Sequence, residues 1–196
     1  MKRLLFLVLA CGLLLPLKAY KEHEVYQNYG FNFAYNAGND DDLIDYNSSL
    51  EFDFGLLYSF NKYVQFGGGF GLNSIYTKTL KAIPTDKTEK FNTVLLPMYL
   101  RGQANLYQND FVVPFLVLDF GYDFMLWEEG SNSNYYAFYN ESYYKGGFTF
   151  TPHIALDLPS TSDLHFMINL GYRMHFINAS EDYNINSFYV GFSTSF

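Results

Sequence analysis

The sequence predicts an all-β fold, an eight-stranded antiparallel up-and-down transmembrane β-barrel, and three observations carry that expectation. First, the chain ends on Phe196, which closes an alternating run of Phe188, Val190, Phe192, Thr194 and Phe196 with Tyr189, Gly191, Ser193 and Ser195 between them. The two-residue period is that of a strand, and a final strand that zips against the first removes both edges of a sheet. Second, aromatics are 21% of the chain, yet after residue 19 no apolar run approaches the ~20 residues a membrane helix needs. The rings alternate with Gly, Asn, Ser and Thr, so the two faces meet different solvents. Third, the connections alternate between tight and long, as in barrels that cross a membrane.

Residues 1–19 read as a secretory signal peptide. Lys2 and Arg3 form its positive start, Leu4 to Leu17 its apolar stretch, and Ala19 supplies a small residue for cleavage. A lipoprotein signal acylated at Cys11 is the competing reading; the apolar stretch before Cys11 is short, and the residues after it are apolar rather than a polar tether. Cys11 is the only cysteine, so residues 20–196, the expected barrel domain, offer no disulfide and no thiolate metal site. Three of the twelve basic residues lie in the leader; the nine that remain face twenty acidic ones, a net charge of −11. Such a chain is a poor nucleic-acid binder.

The strands follow in order. The first, about Val25 to Ala37, sets Tyr29, Phe31, Phe33 and Tyr35 on one face and Asn28, Gly30, Asn32, Ala34 and Asn36 on the other. Strand two, about Ser48 to Phe60, opposes Leu50, Phe52, Phe54, Leu56, Tyr58 and Phe60 to Glu51, Asp53, Gly55 and Ser59. Strand three, about Tyr63 to Tyr76, opposes Val64, Phe66, Phe70 and Leu72 to Gln65, Gly67, Gly69, Gly71 and Asn73. Strand four, about Thr93 to Leu106, opposes Val94, Leu96, Met98 and Leu100 to Tyr99, Arg101, Gln103 and Asn105. Strand five, about Val112 to Met125, opposes Leu116, Leu118, Phe120, Tyr122 and Phe124 to Asp119, Gly121 and Asp123. Strand six, about Lys145 to Leu158, opposes Phe148, Phe150, Ile154, Leu156 and Leu158 to Thr149, Thr151, His153 and Asp157. Strand seven, about Leu164 to Phe176, opposes a fully apolar face to His165, Met167, Asn169, Gly171, Arg173 and His175. The eighth is the terminal run, from about Ile185.

Tight connections are expected after strands two, four and six, and longer polar ones after strands one, three, five and seven, at about 38–47, 77–92, 126–144 and 177–184. This asymmetry places the protein in a bacterial outer membrane with both termini on the periplasmic side. A lipocalin-like barrel or a β-sandwich also alternates but turns its apolar face inward; the terminal aromatic strand and the turn asymmetry favour the membrane.

An eight-stranded barrel encloses only enough room for side chains. The inward set is charged: Glu51, Asp53, Arg101, Asp119, Asp123, His153, Asp157, His165, Arg173 and His175, with Gln103 and Lys145. Buried charges require partners, and Arg101 and Arg173 can each bridge carboxylates with a planar fork. Symmetric pairing about the last short turn would set Asp157 opposite His165. The expectation is an ion-paired plug with trapped water, serving as structural ballast rather than as a gated pore or proton path. The three inward histidines sit on two strands at different heights, which is not metal-ligand spacing, and no cofactor is expected. Gly67, Gly69 and Gly71 are no phosphate loop, since no helix follows; they let the strand bend or let a large neighbour such as Tyr99 pack close.

In the loops, Asp40, Asp41, Asp42 and Asp45 form an acidic cluster without the spaced ligands and glycine turn of a calcium loop, and Lys78, Lys81, Lys87 and Lys90 make the second loop mildly basic. Tyr135, Tyr136, Phe138, Tyr139, Tyr143 and Tyr144 suit protein recognition or an interfacial aromatic girdle. Expected partners are therefore outer-membrane lipid and lipopolysaccharide, with an extracellular ligand met through the loops.

The segments LLPMYLRGQANLY, FVVPFLVLDFGYDF and SFYVGFSTSF resemble the strands of small eight-stranded outer-membrane barrels of the OmpX, OmpA membrane-domain and opacity-like kind. The resemblance spans residues 20–196 and rests on pattern. It implies insertion by the outer-membrane assembly machinery, with Phe192 and Phe196 in the terminal signal, and no single activity. The stretch from Arg173 through His175 and Phe176 to Ala179 is similar to the late-strand motif of lipid A 3-O-deacylases, which implies a hydrolytic His–Ser–Glu triad facing lipid. His175 matches the histidine; Ile177 stands where the serine belongs, and the terminal strand has no Glu. An ester hydrolase needs both an activated nucleophile and an oriented base. The expected function is therefore a non-enzymatic barrel, with a lipid A acyl hydrolase or a narrow channel as alternatives.

Overall fold

A computed structural model describes residues 20–36, 44–79, 89–107, 112–130, 146–158, 164–177 and 183–196. Residues 1–19, expected to be a leader, Asp40 to Asp42, Lys81, Lys87, Lys145 and the aromatic residues Tyr135, Tyr136, Phe138, Tyr139, Tyr143 and Tyr144 lie outside the described residues, as do the side chains of Asp45, Lys78 and Lys90.

Alternation between apolar and polar positions produces strands β1 (Val25–Asn36), β2 (Ile44–Asn61), β3 (Val64–Thr79), β4 (Glu89–Asn105), β5 (Val113–Gly130), β6 (Gly147–Leu158), β7 (His165–Ile177) and β8 (Tyr183–Ser195). Each pairs antiparallel with its sequence neighbours, and β8 pairs with β1 to close the barrel. Closure runs to the last residue: Gln27 N donates to Phe196 O at 2.9 Å, and Phe196 N donates to Gln27 O at 3.1 Å. The Phe196 ring stacks on Tyr29 of β1, centroids 5.6 Å apart. No strand is left as an edge.

The polarity of the wall separates this barrel from a soluble one. Phe52 and Phe192 expose 62% and 61% of their surfaces on the outside, whereas Asn73 and Ser195, pointing inward, expose none. The outer face carries a belt of Phe, Leu, Val and Tyr; the inner face carries the carboxylates, guanidiniums, imidazoles and amides. Hydrocarbon is the solvent that such an exterior requires.

Strands reach further toward the long loops than alternation alone indicates. β2 starts at Ile44, β3 runs to Thr79, β4 starts at Glu89 and β5 runs to Gly130. Beyond hydrocarbon nothing rewards strict alternation, so the ladder continues while the apolar signal in the sequence fades. Among the prolines, Pro97 sits beside a gap in the β3–β4 ladder between Phe70↔Met98 and Asn73↔Leu95. Pro152 sits in a gap in the β6–β7 ladder between Phe150↔Met174 and His153↔Gly171. Proline has no N–H to donate, so the ladder breaks locally without losing register.

Candidate functional site in the barrel lumen

The ten ionisable residues at inward positions of the strands each expose 7% of their surface or less. Strand register decides which of them meet. Nearest the short turns, His165 Nδ1 and Asp157 Oδ2 lie 2.7 Å apart. They are not directly opposite: Asp157 is paired with Met167, and Leu158 with Phe166. The register is two residues away from symmetric pairing about the turn, which keeps both side chains facing inward, and the pair meets diagonally.

Midway up, Arg101 of β4 is directly opposite Asp119 of β5. Its Nε donates to Asp119 Oδ1 at 2.7 Å and its Nη2 to Oδ2 at 2.8 Å, a two-point fork. The third nitrogen, Nη1, crosses to Asn28 Oδ1 on β1 at 2.9 Å and lies 4.0 Å from Asp53. Asp53 accepts from Asn32 Nδ2 at 2.7 Å and from Tyr99 Oη at 2.9 Å. His153 Nδ1 lies 3.3 Å from the Thr151 carbonyl and 3.9 Å from Asp119.

Above this, Arg173 of β7 reaches across to Glu51 of β2. Nη1 donates to Oε2 at 2.5 Å and Nη2 to Oε1 at 3.0 Å, while Nε donates to Thr151 Oγ1 at 3.2 Å. The guanidinium also lies over the Tyr189 ring, 4.9 Å from its centre. His175 Nδ1 lies 2.8 Å from Asp123 Oδ2, joining β7 to β5. The two guanidinium networks and the His175–Asp123 pair therefore link strands that are not neighbours in the wall, whereas His165–Asp157 joins the adjacent β6 and β7.

The glycine face of β3 accommodates Tyr99, as its spacing indicated. A Cβ on Gly69 would stand 2.6 Å from Tyr99 Oη and collide with the Phe54 carbonyl; one on Gly55 would stand 3.2 Å from the same hydroxyl. Tyr99 reaches Asp53 because those positions carry no side chain. Toward the long loops, Asn73 and Thr93 are wholly buried, and among the described residues Asn73 Nδ2, Asn73 Oδ1 and Thr93 Oγ1 have no hydrogen-bond partner.

The histidines do not converge. Each faces a different carboxylate, and among the described residues no group of three or more His, Cys, Asp or Glu side chains is placed to hold a metal ion. His175 is buried inside the barrel against Asp123, away from the lipid-facing surface on which a deacylase triad would act.

One part of the lumen escaped the sequence reading. Its short-turn end is apolar, built from Tyr20, Tyr26, Leu57, Val113, Phe115, Val117, Ala155 and Met167. The signal was the near-continuous apolar run from Phe111 to Leu118, in which inward and outward positions of β5 are both oily. Such a run marks a strand buried on both faces.

Comparison with known proteins follows the same architecture. The crystal structure of outer membrane protein OprG from Pseudomonas aeruginosa superposes with a TM-score of 0.54 at 14% identity, covering 92% of this chain and 99% of that one. Neisserial surface protein A superposes with a TM-score of 0.51 at 14% identity, covering 87% and 94%. At such identity the likeness is one of fold. A search of curated proteins finds no match. Residues 4–196 match the family described as the outer membrane protein beta-barrel domain, and the chain belongs to that family of the bacterial outer membrane.

Proposed function

We propose that this barrel is a non-enzymatic envelope protein: its charge-paired lumen braces the wall, and its long loops, on the side opposite two periplasmic termini, make the external contacts. The observation that carries the reading is the Arg173–Glu51 fork across the lumen, together with Arg101 held by Asp119 and Asn28. Side chains locked by forked bonds and reaching across to distant strands fill the space an ion would need. The long acidic and tyrosine-rich loops support contact with lipopolysaccharide or a protein ligand.

Planar-bilayer recording of the purified protein tests this: the expected trace is flat, and stable conductance steps that shift on Arg173→Met would replace the reading with a channel. The hydrolase reading draws on one observation, that Asp123 orients His175 as an acid orients a catalytic base. Mass spectrometry of lipid A from expressing cells decides it. The expected spectrum is unchanged; loss of one acyl chain, abolished by His175→Ala, would establish the enzyme.

A further inference from the structure

The segment ahead of β1 has an unusual shape. Lys21, Glu22, His23 and Glu24 are exposed, yet the residue before them, Tyr20, is buried to 3% inside the short-turn mouth of the lumen. The chain gets there by a hook. His23 N donates to Ser59 O at 2.7 Å, and Ser59 N donates to Glu24 O at 2.9 Å, so the end of β2 clamps the base of the hook. His23 takes a left-handed backbone, φ 62°, which a residue with a Cβ rarely adopts. The Lys21 amide then donates to Tyr26 Oη at 2.7 Å, and the chain has reversed.

What the hook delivers is one ring. Tyr20 lies flat on His165, centroids 3.9 Å apart and planes within 6°. Tyr26 and Phe115 meet it edge-on at 4.7 and 5.7 Å, and its hydroxyl reaches Met167 Sδ at 3.9 Å. Beside that ring, His165 holds Asp157, whose second oxygen is buried without a partner among the described residues. A strained turn that carries a single aromatic side chain into a fitted slot is a built contact, not a trailing end.

We propose that Tyr20 is a stopper: the Tyr20–Glu24 hook seats its ring in the short-turn mouth and keeps water off the Asp157–His165 pair and the lumen above. The barrel is then a blind vessel, closed at one end by its own chain. This holds whether the protein braces the envelope or binds a ligand through its loops, because it concerns access from one end only.

A single buried thiol reports on the seal. Cys11 is the only native cysteine, so a full-length Cys11→Ser, Met167→Cys chain carries one thiol, placed where the Tyr20 hydroxyl makes contact. Its reaction with a water-soluble maleimide is timed in folded protein, with folding verified by heat-modifiable electrophoretic mobility. Adding Tyr20→Ala should speed labelling about tenfold, equivalent to about 1.4 kcal/mol in the closing equilibrium, while Tyr20→Phe should keep it slow. Equal rates with Tyr, Phe and Ala at position 20, whether all slow or all fast, would overturn the proposal, and so would a Phe variant as fast as Ala. If Met167→Cys fails to fold, Val117→Cys in the same apolar cluster supplies the probe with the same readings.

Discussion

Replacing Arg173 with Met tests the brace directly. The guanidinium donates twice to Glu51 and once to Thr151, and it lies over Tyr189. Arg173→Met leaves the Glu51 carboxylate buried with, among the described residues, only Asn32 Nδ2, at 3.3 Å, as a donor. An uncompensated buried charge of this kind costs about 3–5 kcal/mol. Glu51→Gln alone strands the guanidinium and costs a similar amount. The double variant removes both charges at once, and a neutral pair of comparable volume is expected to cost only about 1–2 kcal/mol. The singles therefore sum to far more than the double, a coupling of several kcal/mol that distant, independent sites never show. Urea unfolding of the four proteins in lipid vesicles, read by strand circular dichroism, measures each term. A loss below about 1 kcal/mol for Arg173→Met, or additive singles, would mean that water or another group compensates Glu51 and would refute the reasoning.

Four further outcomes are expected. The atoms nearest to a Cβ at Gly30 all belong to the Asp53 side chain, so Gly30→Ala should cost about 1–3 kcal/mol by overpacking; in an Asp53→Ala background its added cost should fall well below that, as chemical denaturation would reveal. Phe196→Ala keeps both terminal backbone bonds to Gln27 and loses the stack on Tyr29, a predicted loss of about 0.5–1.5 kcal/mol, whereas deleting Phe196 should lower the yield of closed barrel measured by gel mobility. Asn73→Leu removes a buried amide with no partner among the described residues and should be neutral or stabilising in the same unfolding assay; a marked loss would reveal a bonded water or loop group there. Burial, with the nearby Asp157 charge second, pushes the Tyr20 phenol upward. The seated hook thus holds a proton that a released hook gives up near the ordinary tyrosine value of about 10. Its stability is full below that pH and declines above it, so amide exchange at Lys21 should show extra opening at alkaline pH, beyond the intrinsic rise of exchange, that Tyr20→Phe abolishes.

The alternation of Phe31, Phe33, Phe52, Phe192 and Phe196 with Asn32, Asp53, Ser193 and Ser195 was sufficient to name the strands, their faces and their closure. The physical reason is local: each residue of a strand points to one side or the other, and a membrane rewards only one arrangement of greasy and polar sides. The list of inward charges follows from the same parity. Their partners do not. Arg173 finds Glu51 more than a hundred residues away, and His175 finds Asp123 rather than a serine, because those contacts depend on strand tilt and register around a closed ring.

The loop-side ends of β2 to β5 were also hidden, since outside hydrocarbon the alternation loses its energetic basis while backbone bonds continue. The apolar cap at the short-turn end was hidden for the opposite reason: Val113, Phe115 and Val117 are as oily as their outward neighbours, so parity carried no contrast there. Tyr20 is the clearest case. Nothing in its neighbourhood distinguishes it from an exposed leader remnant; only the three-dimensional meeting of β1, β5 and β7 around a gap one ring wide makes it part of the core. Composition and period thus determined which solvent each face meets, and tertiary structure decided which charges neutralise one another and what closes the end, because closure brings together residues that no local pattern links.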